Sequence, residues 1–101
     1  MVIKNHMKDL LLKHYELIKK RGLITPETTA DQFLLKMEEE WLEVLSAYAD
    51  DLTAGCSPSS DYIHECTDLV MTIMNMFQHY GIDFKDELIK NIAIQKNRIK
   101  Q

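Results

Sequence analysis

Five carboxylates in two short runs carry the chemistry of this sequence: Glu39, Glu40 and Glu43 in one, Glu65 and Asp68 in the other. Glu40 and Glu43 stand three apart, as do Glu65 and Asp68, a spacing that sets each pair on adjacent turns of one helix face. Two such helices packed side by side bring four carboxylates together. Crowded carboxylates repel and raise one another's pKa unless a cation sits among them. An all-oxygen donor set suits Mg2+ or Mn2+ rather than zinc, which favours nitrogen and sulfur. The acidic run also fits an ordinary solvated helix face, and spacing alone leaves both readings open.

Helices must position these groups, and hydrophobic periodicity supplies them. Ile3, Met7, Leu10, Leu11, His14, Leu17 and Ile18 follow the three-and-four spacing of an amphipathic helix from Ile3 to Arg21, with Gly22 suited to its left-handed end. Thr25-Pro26 breaks the chain, and Thr29 with Gln32 forms a capping-box signature for a second helix reaching Leu52. Its stripe comprises Phe33, Met37, Trp41, Val44, Leu45 and Tyr48, with Glu40 at the margin. After the loop Ala54–Ser60, Ser60 or Asp61 caps a third helix bearing Tyr62, Ile63, Cys66, Leu69, Val70, Ile73, Met76, Phe77 and Tyr80 on one side. Asp83 opens a last helix with Phe84, Leu88, Ile92 and Ile99. The expected architecture is an all-α, four-helix bundle-like domain spanning residues 1–101. Its two long central helices are antiparallel, and oligomerisation completes it.

Composition and charge narrow the function. A chain of 101 residues, 46% hydrophobic and 28% charged, is one domain rather than a two-lobed enzyme, and its small core favours self-association. Three Gly and two Pro are too few for a turn-rich β fold, and no Gly-rich phosphate loop occurs. Between Glu27 and Asp68 the acids face a single base, Lys36, so nucleic acid is not an expected partner. Nor is a membrane, since no apolar run approaches a bilayer span, and a cytoplasmic location is expected. Cys56 and Cys66 form no zinc pattern and read as reduced thiols, Cys66 in the core.

Read in order, Glu39-Glu40-Trp41-Leu42-Glu43 is an EExxE motif and Glu65-Cys66-Thr67-Asp68 an ExxD motif. With the turn Gly81-Ile82-Asp83 and the basic close Lys96-Asn97-Arg98, the chain resembles the MazG-like all-α nucleotide pyrophosphohydrolases over residues 30–98, its length being nearest the small phage-type members. The resemblance implies Mg2+-dependent hydrolysis of a (deoxy)nucleoside triphosphate to the monophosphate and pyrophosphate, in a house-cleaning or pool-balancing role. It further implies Glu40, Glu43, Glu65 and Asp68 as metal ligands and a homodimer or homotetramer. Glu39 matches the acidic residue preceding the first ligand and is assigned to orienting or deprotonating water. Lys96 and Arg98 are assigned to phosphate, although a solvated helix end explains them equally. Gln95 stands where the family pattern has Asn, and Lys90 and Asn91 are further candidates.

Trp41, beside Glu40, suits base stacking, with a place in the core stripe as its alternative. His14 lies on an apolar face and reads as a packed histidine rather than a base contact. His64-Glu65-Cys66-Thr67-Asp68 has the outline of HExxH but lacks the second histidine. Met71, Met74 and Met76 make the third helix apolar on a second side, suggesting a subunit contact there. The rival functional reading is a non-catalytic helical dimer acting as an adaptor or regulator.

Overall fold

The computed structural model describes residues 6–99, and within them every regular element is a helix: α1 (Met7–Lys20), α2 (Ala30–Ala54), α3 (Ser60–His79) and α4 (Phe84–Ile99). The all-α expectation is met; the expected start at Ile3 lies outside the described residues. The sequence signals act where the spacing places them. Thr29 Oγ1 accepts from Gln32 N at 3.4 Å while Gln32 Oε1 accepts from Thr29 N at 2.8 Å, closing the capping box of α2. Gly55, at φ 69, ends α2 in the left-handed region that lets the chain reverse without a Cβ penalty.

The cap of α3 differs from the expectation. It is Ser59, whose Oγ accepts from Tyr62 N at 3.1 Å, rather than Ser60 or Asp61. Asp51 in the last turns of α2 selects it, because its Oδ2 accepts the Ser59 amide at 2.9 Å and fixes that residue as the last non-helical one. Asp51 is only 5% exposed. One carboxylate thus ties the end of α2 to the start of α3.

The two long helices pack antiparallel: Tyr48 lies 5.9 Å from Tyr62, and the earlier Phe33 lies 5.1 Å from His79 and 6.2 Å from Tyr80. Phe33 and Val44 are buried between them, with Ile24 from the preceding segment. The rest of the expected stripe is not core. Trp41 is 49% exposed, and Leu45 and Tyr48 are exposed as well. A single neighbouring helix covers only part of a broad apolar face, and here the uncovered part faces out.

On α3 the most buried positions are polar, Thr72 and Asn75. They form one row with Asp68 and His79, at the helical spacing of four, three and four. α1 docks on this row with Leu11, His14, Tyr15 and Ile18 half-buried and two side-chain hydrogen bonds, none of its residues being fully buried. His14 Nδ1 meets Asn75 Oδ1 at 3.3 Å, and Tyr15 Oη meets His79 Nδ1 at 3.0 Å. His79 Nε2 donates to the Thr28 carbonyl at 2.9 Å, so the neutral ring accepts the Tyr15 hydroxyl at Nδ1. The second covered side of α3 therefore faces α1 within the chain, and Met71 lies there. Cys66, expected in the core, is half-buried.

α4 begins by packing Phe84 on Phe77, ring centres 5.8 Å apart, and then buries nothing: Leu88, Ile89, Ile92, Ile94 and Ile99 are all exposed. The radius of gyration is 16.5 Å, against roughly 13 Å for a compact chain of this length. The chain exposes 8078 Å², where a compact monomer of this mass exposes roughly 5,900 Å². No helix among the described residues is long and apolar enough to cross a membrane.

The Asp51 clamp makes a prediction. Its bonds to Ser59 hold the carboxyl below its ordinary range, so its stabilising effect is full above the unfolded-state pKa and is lost as pH falls through the lower folded value. Asp51→Ala is expected to drop the thermal midpoint by several degrees at neutral pH. The midpoints of parent and variant should converge as acid protonates Asp51. A constant gap across a pH series of melts would show that the carboxylate charge contributes nothing.

Candidate functional site

With α2 and α3 antiparallel and Tyr48 beside Tyr62 and Phe33 beside His79, helical spacing aligns Glu43 with Glu65 and Glu40 with Asp68 as two rungs one turn apart. Glu65 feels this crowding. Loss of hydration raises its pKa first, the charges of Glu43 and Asp68 raise it further, and Glu40 adds a smaller push in the same direction while His64 opposes it. His64, Glu65 and Asp68 bring donor atoms within 4.8 Å of one another. His64 Nε2 stands 3.3 Å from Asp68 Oδ2. The sequence offered His64 only as a broken HExxH, whereas helical spacing brings it back over the same turn as Asp68.

Glu40 and Glu39 share a cation of the chain's own. Lys36 Nζ lies 3.0 Å from Glu40 Oε1 and 3.4 Å from Glu39 Oε2, one turn along α2. The bond to Glu40 holds the Lys36 ammonium above the ordinary lysine range. Of the four rung carboxylates, Glu40 is thus the one paired with lysine. A carboxylate raised by its like-charged neighbours and another reaching for an ammonium are what a divalent cation would relieve. Among the described residues Glu65 and Asp68, with His64 as an additional nitrogen, form the group close enough to hold a hard, oxygen-preferring ion, and Glu40 and Glu43 stand outside that group.

Beside the carboxylates a groove of about 640 Å³ runs between α1, the segment before α2, and the faces of α2 and α3. Glu39, Glu40 and Asp68 line its acidic end, Lys36 and Arg21 add cations, and His14, Thr72 and Asn75 offer polar groups. Ile18, Ile24 and Phe33 supply apolar wall. A groove of this size, with polar and charged groups set against an apolar wall, is large enough for a small molecule.

The structure thus gathers Glu39, Glu40 and Asp68 at the groove and brings Glu65 within reach of the Glu43 charge. Trp41 and Glu43 are exposed and outside its lining. Gln95, Lys96 and Arg98 lie on the exposed end of α4 and do not line it either. Thr72 and Asn75 escaped hydrophobic periodicity because they are polar; their signal was the helical spacing from Asp68. His14, read as a packed histidine, is half-buried, bonded to Asn75 and lines the groove. The family model described as phosphoribosyl-ATP pyrophosphohydrolase matches residues 9–95. No curated protein and no solved structure matches the chain.

Proposed function

Because the chain belongs to the phosphoribosyl-ATP pyrophosphohydrolase family, within the all-α NTP pyrophosphatase (MazG-like) superfamily, we propose that it is a Mg2+-dependent enzyme hydrolysing (deoxy)nucleoside triphosphates to monophosphates and pyrophosphate. The observation that carries this reading is that Glu43 and Glu40 of α2 press their charge on Glu65 of α3 while Glu39, Glu40 and Asp68 line the groove beside them. Glu40, Glu43, Glu65 and Asp68 would hold the cation. When bound, it supplies charge neutralisation for the triphosphate and a lowered pKa for water.

The chain's own groups do the rest. Glu39, at the acidic end of the groove and largely solvated, orients the attacking water or takes its proton. The water oxygen bonds the α-phosphorus, the bond from that phosphorus to the bridging oxygen breaks, and pyrophosphate leaves. Lys36 and Arg21 offset phosphate charge at the groove. Lys96, Arg98 and Gln95 reach phosphate only if the exposed α4 of one copy meets the site of another, so the working form is a homodimer or homotetramer. Trp41, half-exposed beside Glu40, is available for stacking. The role that follows is house-cleaning or balancing of a nucleotide pool. The family description favours a second substrate, a phosphoribosylated ATP, which carries the same triphosphate.

The test is a panel of ribo- and deoxynucleoside triphosphates together with phosphoribosyl-ATP, with and without Mg2+, both products identified and Glu40→Ala run alongside. Monophosphate plus pyrophosphate, metal-dependent and lost in the variant, is the expected result. Orthophosphate release would refute cleavage at the α-phosphorus. A folded protein with no turnover would return the chain to the adaptor reading.

Lys36 competes with a cation for Glu40, because two positive charges cannot share one carboxylate without mutual repulsion. Lys36→Met is therefore expected to bind Mn2+ several-fold more tightly in calorimetry without nucleotide. Unchanged or weaker binding would show that the lysine does not compete.

A further inference from the structure

A second groove, of about 630 Å³, opens on the α2–α3 pair between Tyr48, Pro58, Tyr62, Cys66 and Val70. None of its lining comes from α1 or α4. Cys66 and Val70 stand about half a turn around α3 from Asn75 and Thr72, the row that faces α1, so the groove lies on the other flank of the pair. It has little to offer a polar ligand. The Thr67 hydroxyl at its edge donates to the Ile63 carbonyl of the same helix at 2.8 Å, and the walls are the two tyrosine rings and aliphatic carbon, with a hydroxyl from Ser57.

α4 supplies the complementary surface. Leu88, Ile92 and Ile99 fall within about 40° of one another around the helix, and all three are exposed. Phe84, at the root of α4, packs on Phe77, which follows Val70 by seven residues and therefore lies on the same flank of α3. The stripe starts from the flank that carries the groove, yet it does not enter the groove of its own chain. We propose that this groove is the seat for α4 of a second copy of this chain, exchanged reciprocally across a two-fold axis, so that each copy gives one helix and receives one. A ridge of side chains at helical spacing packs into a groove between two others, and the two-fold axis satisfies both contacts at once and closes the assembly. The chain exposes roughly 2,000 Å² more than a compact monomer of its mass, ample for the about 800 Å² per partner of a standard interface. The seat spans the same turns of α3 as Glu65 and Asp68, and Lys96 and Arg98 flank the stripe, so the seated helix carries both bases to that end of the pair. The nucleotide reading leaves the interface of its homodimer or homotetramer open; the seat names that surface and stands without the reading.

The experiment is mild oxidation by diamide of the full-length chain carrying Cys56→Ser and Ile92→Cys, without nucleotide, read on a non-reducing gel and by mass spectrometry. Ile92 is central in the stripe and Cys66 central in the groove, so the two meet whichever way the helix lies. The expected product is a covalent dimer whose disulfides join Cys66 of each copy to position 92 of the other, at a separation only direct packing allows. Ile94→Cys, on the far side of α4, should give little dimer. A bond from Cys66 to position 92 within one chain, a dimer linked through any other pair, or no link at position 92 would overturn the proposal. Val70→Glu tests the groove from its other side. The position is exposed, so the fold tolerates the charge, and self-association should weaken about tenfold or more in sedimentation velocity. A dissociation constant equal to the parent's would likewise overturn the seat. Because the link is read without substrate, failure of the pyrophosphate assay leaves the seat standing, and absence of the link leaves the carboxylate chemistry standing.

Discussion

Glu65→Gln should cut metal-dependent pyrophosphate release by about a hundredfold or more while making the metal-free protein harder to unfold. Both effects follow from one arrangement. Glu65 is short of water and faces Glu43 and Asp68, so its carboxyl is held above the usual range. A carboxyl raised on folding adds stability while protonated and loses that advantage as pH rises through its folded pKa. At neutral pH it is therefore a source of strain in the metal-free site. Glutamine keeps the shape and removes the charge, so the melt should shift upward without metal. The same change removes a ligand and weakens the charge that holds a cation, so added Mg2+ should raise the midpoint of the parent and barely move that of the variant. A variant that is destabilised without metal, or that retains activity, would contradict the assignment of Glu65. Measuring the thermal midpoint and turnover on one preparation keeps loss of fold apart from loss of chemistry.

The second large effect concerns α4. Its apolar residues at Leu88 and Ile92 lie one turn apart and are both exposed. The chain exposes roughly 2,000 Å² more than a compact monomer of its mass, while a standard interface covers about 800 Å² per partner. Ile92→Glu places a charge in the centre of that face. It is expected to weaken self-association by about thirtyfold or more, the effect of losing one interface hot spot of ~2 kcal/mol. Activity should fall with it, because Lys96 and Arg98 then lose their route to the acidic site. Sedimentation velocity reads the first effect and turnover across a dilution series reads the second. A monomeric variant with full activity would assign the phosphate-binding role to Lys36 and Arg21 alone.

The four helices were legible because each carries its own local signal: the Thr29–Gln32 box, the loop around Pro58, the glycines that follow helices and the apolar spacing between them. The approach of Glu43 to Glu65 was legible for a related reason, since equal spacing within EExxE and ExxD brings carboxylates of the two helices near one another once they run antiparallel. What could not be read is what depends on partners distant in sequence. Trp41, Leu45 and Tyr48 share a stripe with Phe33 and Val44, and only the placement of α3 decides which of them is covered. Ser59 became the cap because Asp51, eight residues earlier, holds its amide. The row Asp68, Thr72, Asn75 and His79 carries no hydrophobic signal, so its burial appears only when α1 is laid across it. His64 was set aside for failing a zinc pattern, although it sits over Asp68.

α1 is held by half-buried Leu11, His14, Tyr15 and Ile18, none of its residues being fully buried, while α2 and α3 are locked by the Asp51 clamp and a shared core. The two walls of the groove therefore differ in permanence. Amide hydrogen exchange should find α1 opening on its own, well before the hairpin that bears the carboxylates, and a bound nucleotide should slow that opening. The same division separates what variation can alter from what it cannot. Substitutions along α1 can reshape one wall of the groove without disturbing the α2–α3 hairpin that bears the carboxylates, so that wall is the part of this fold that drift in one helix can change.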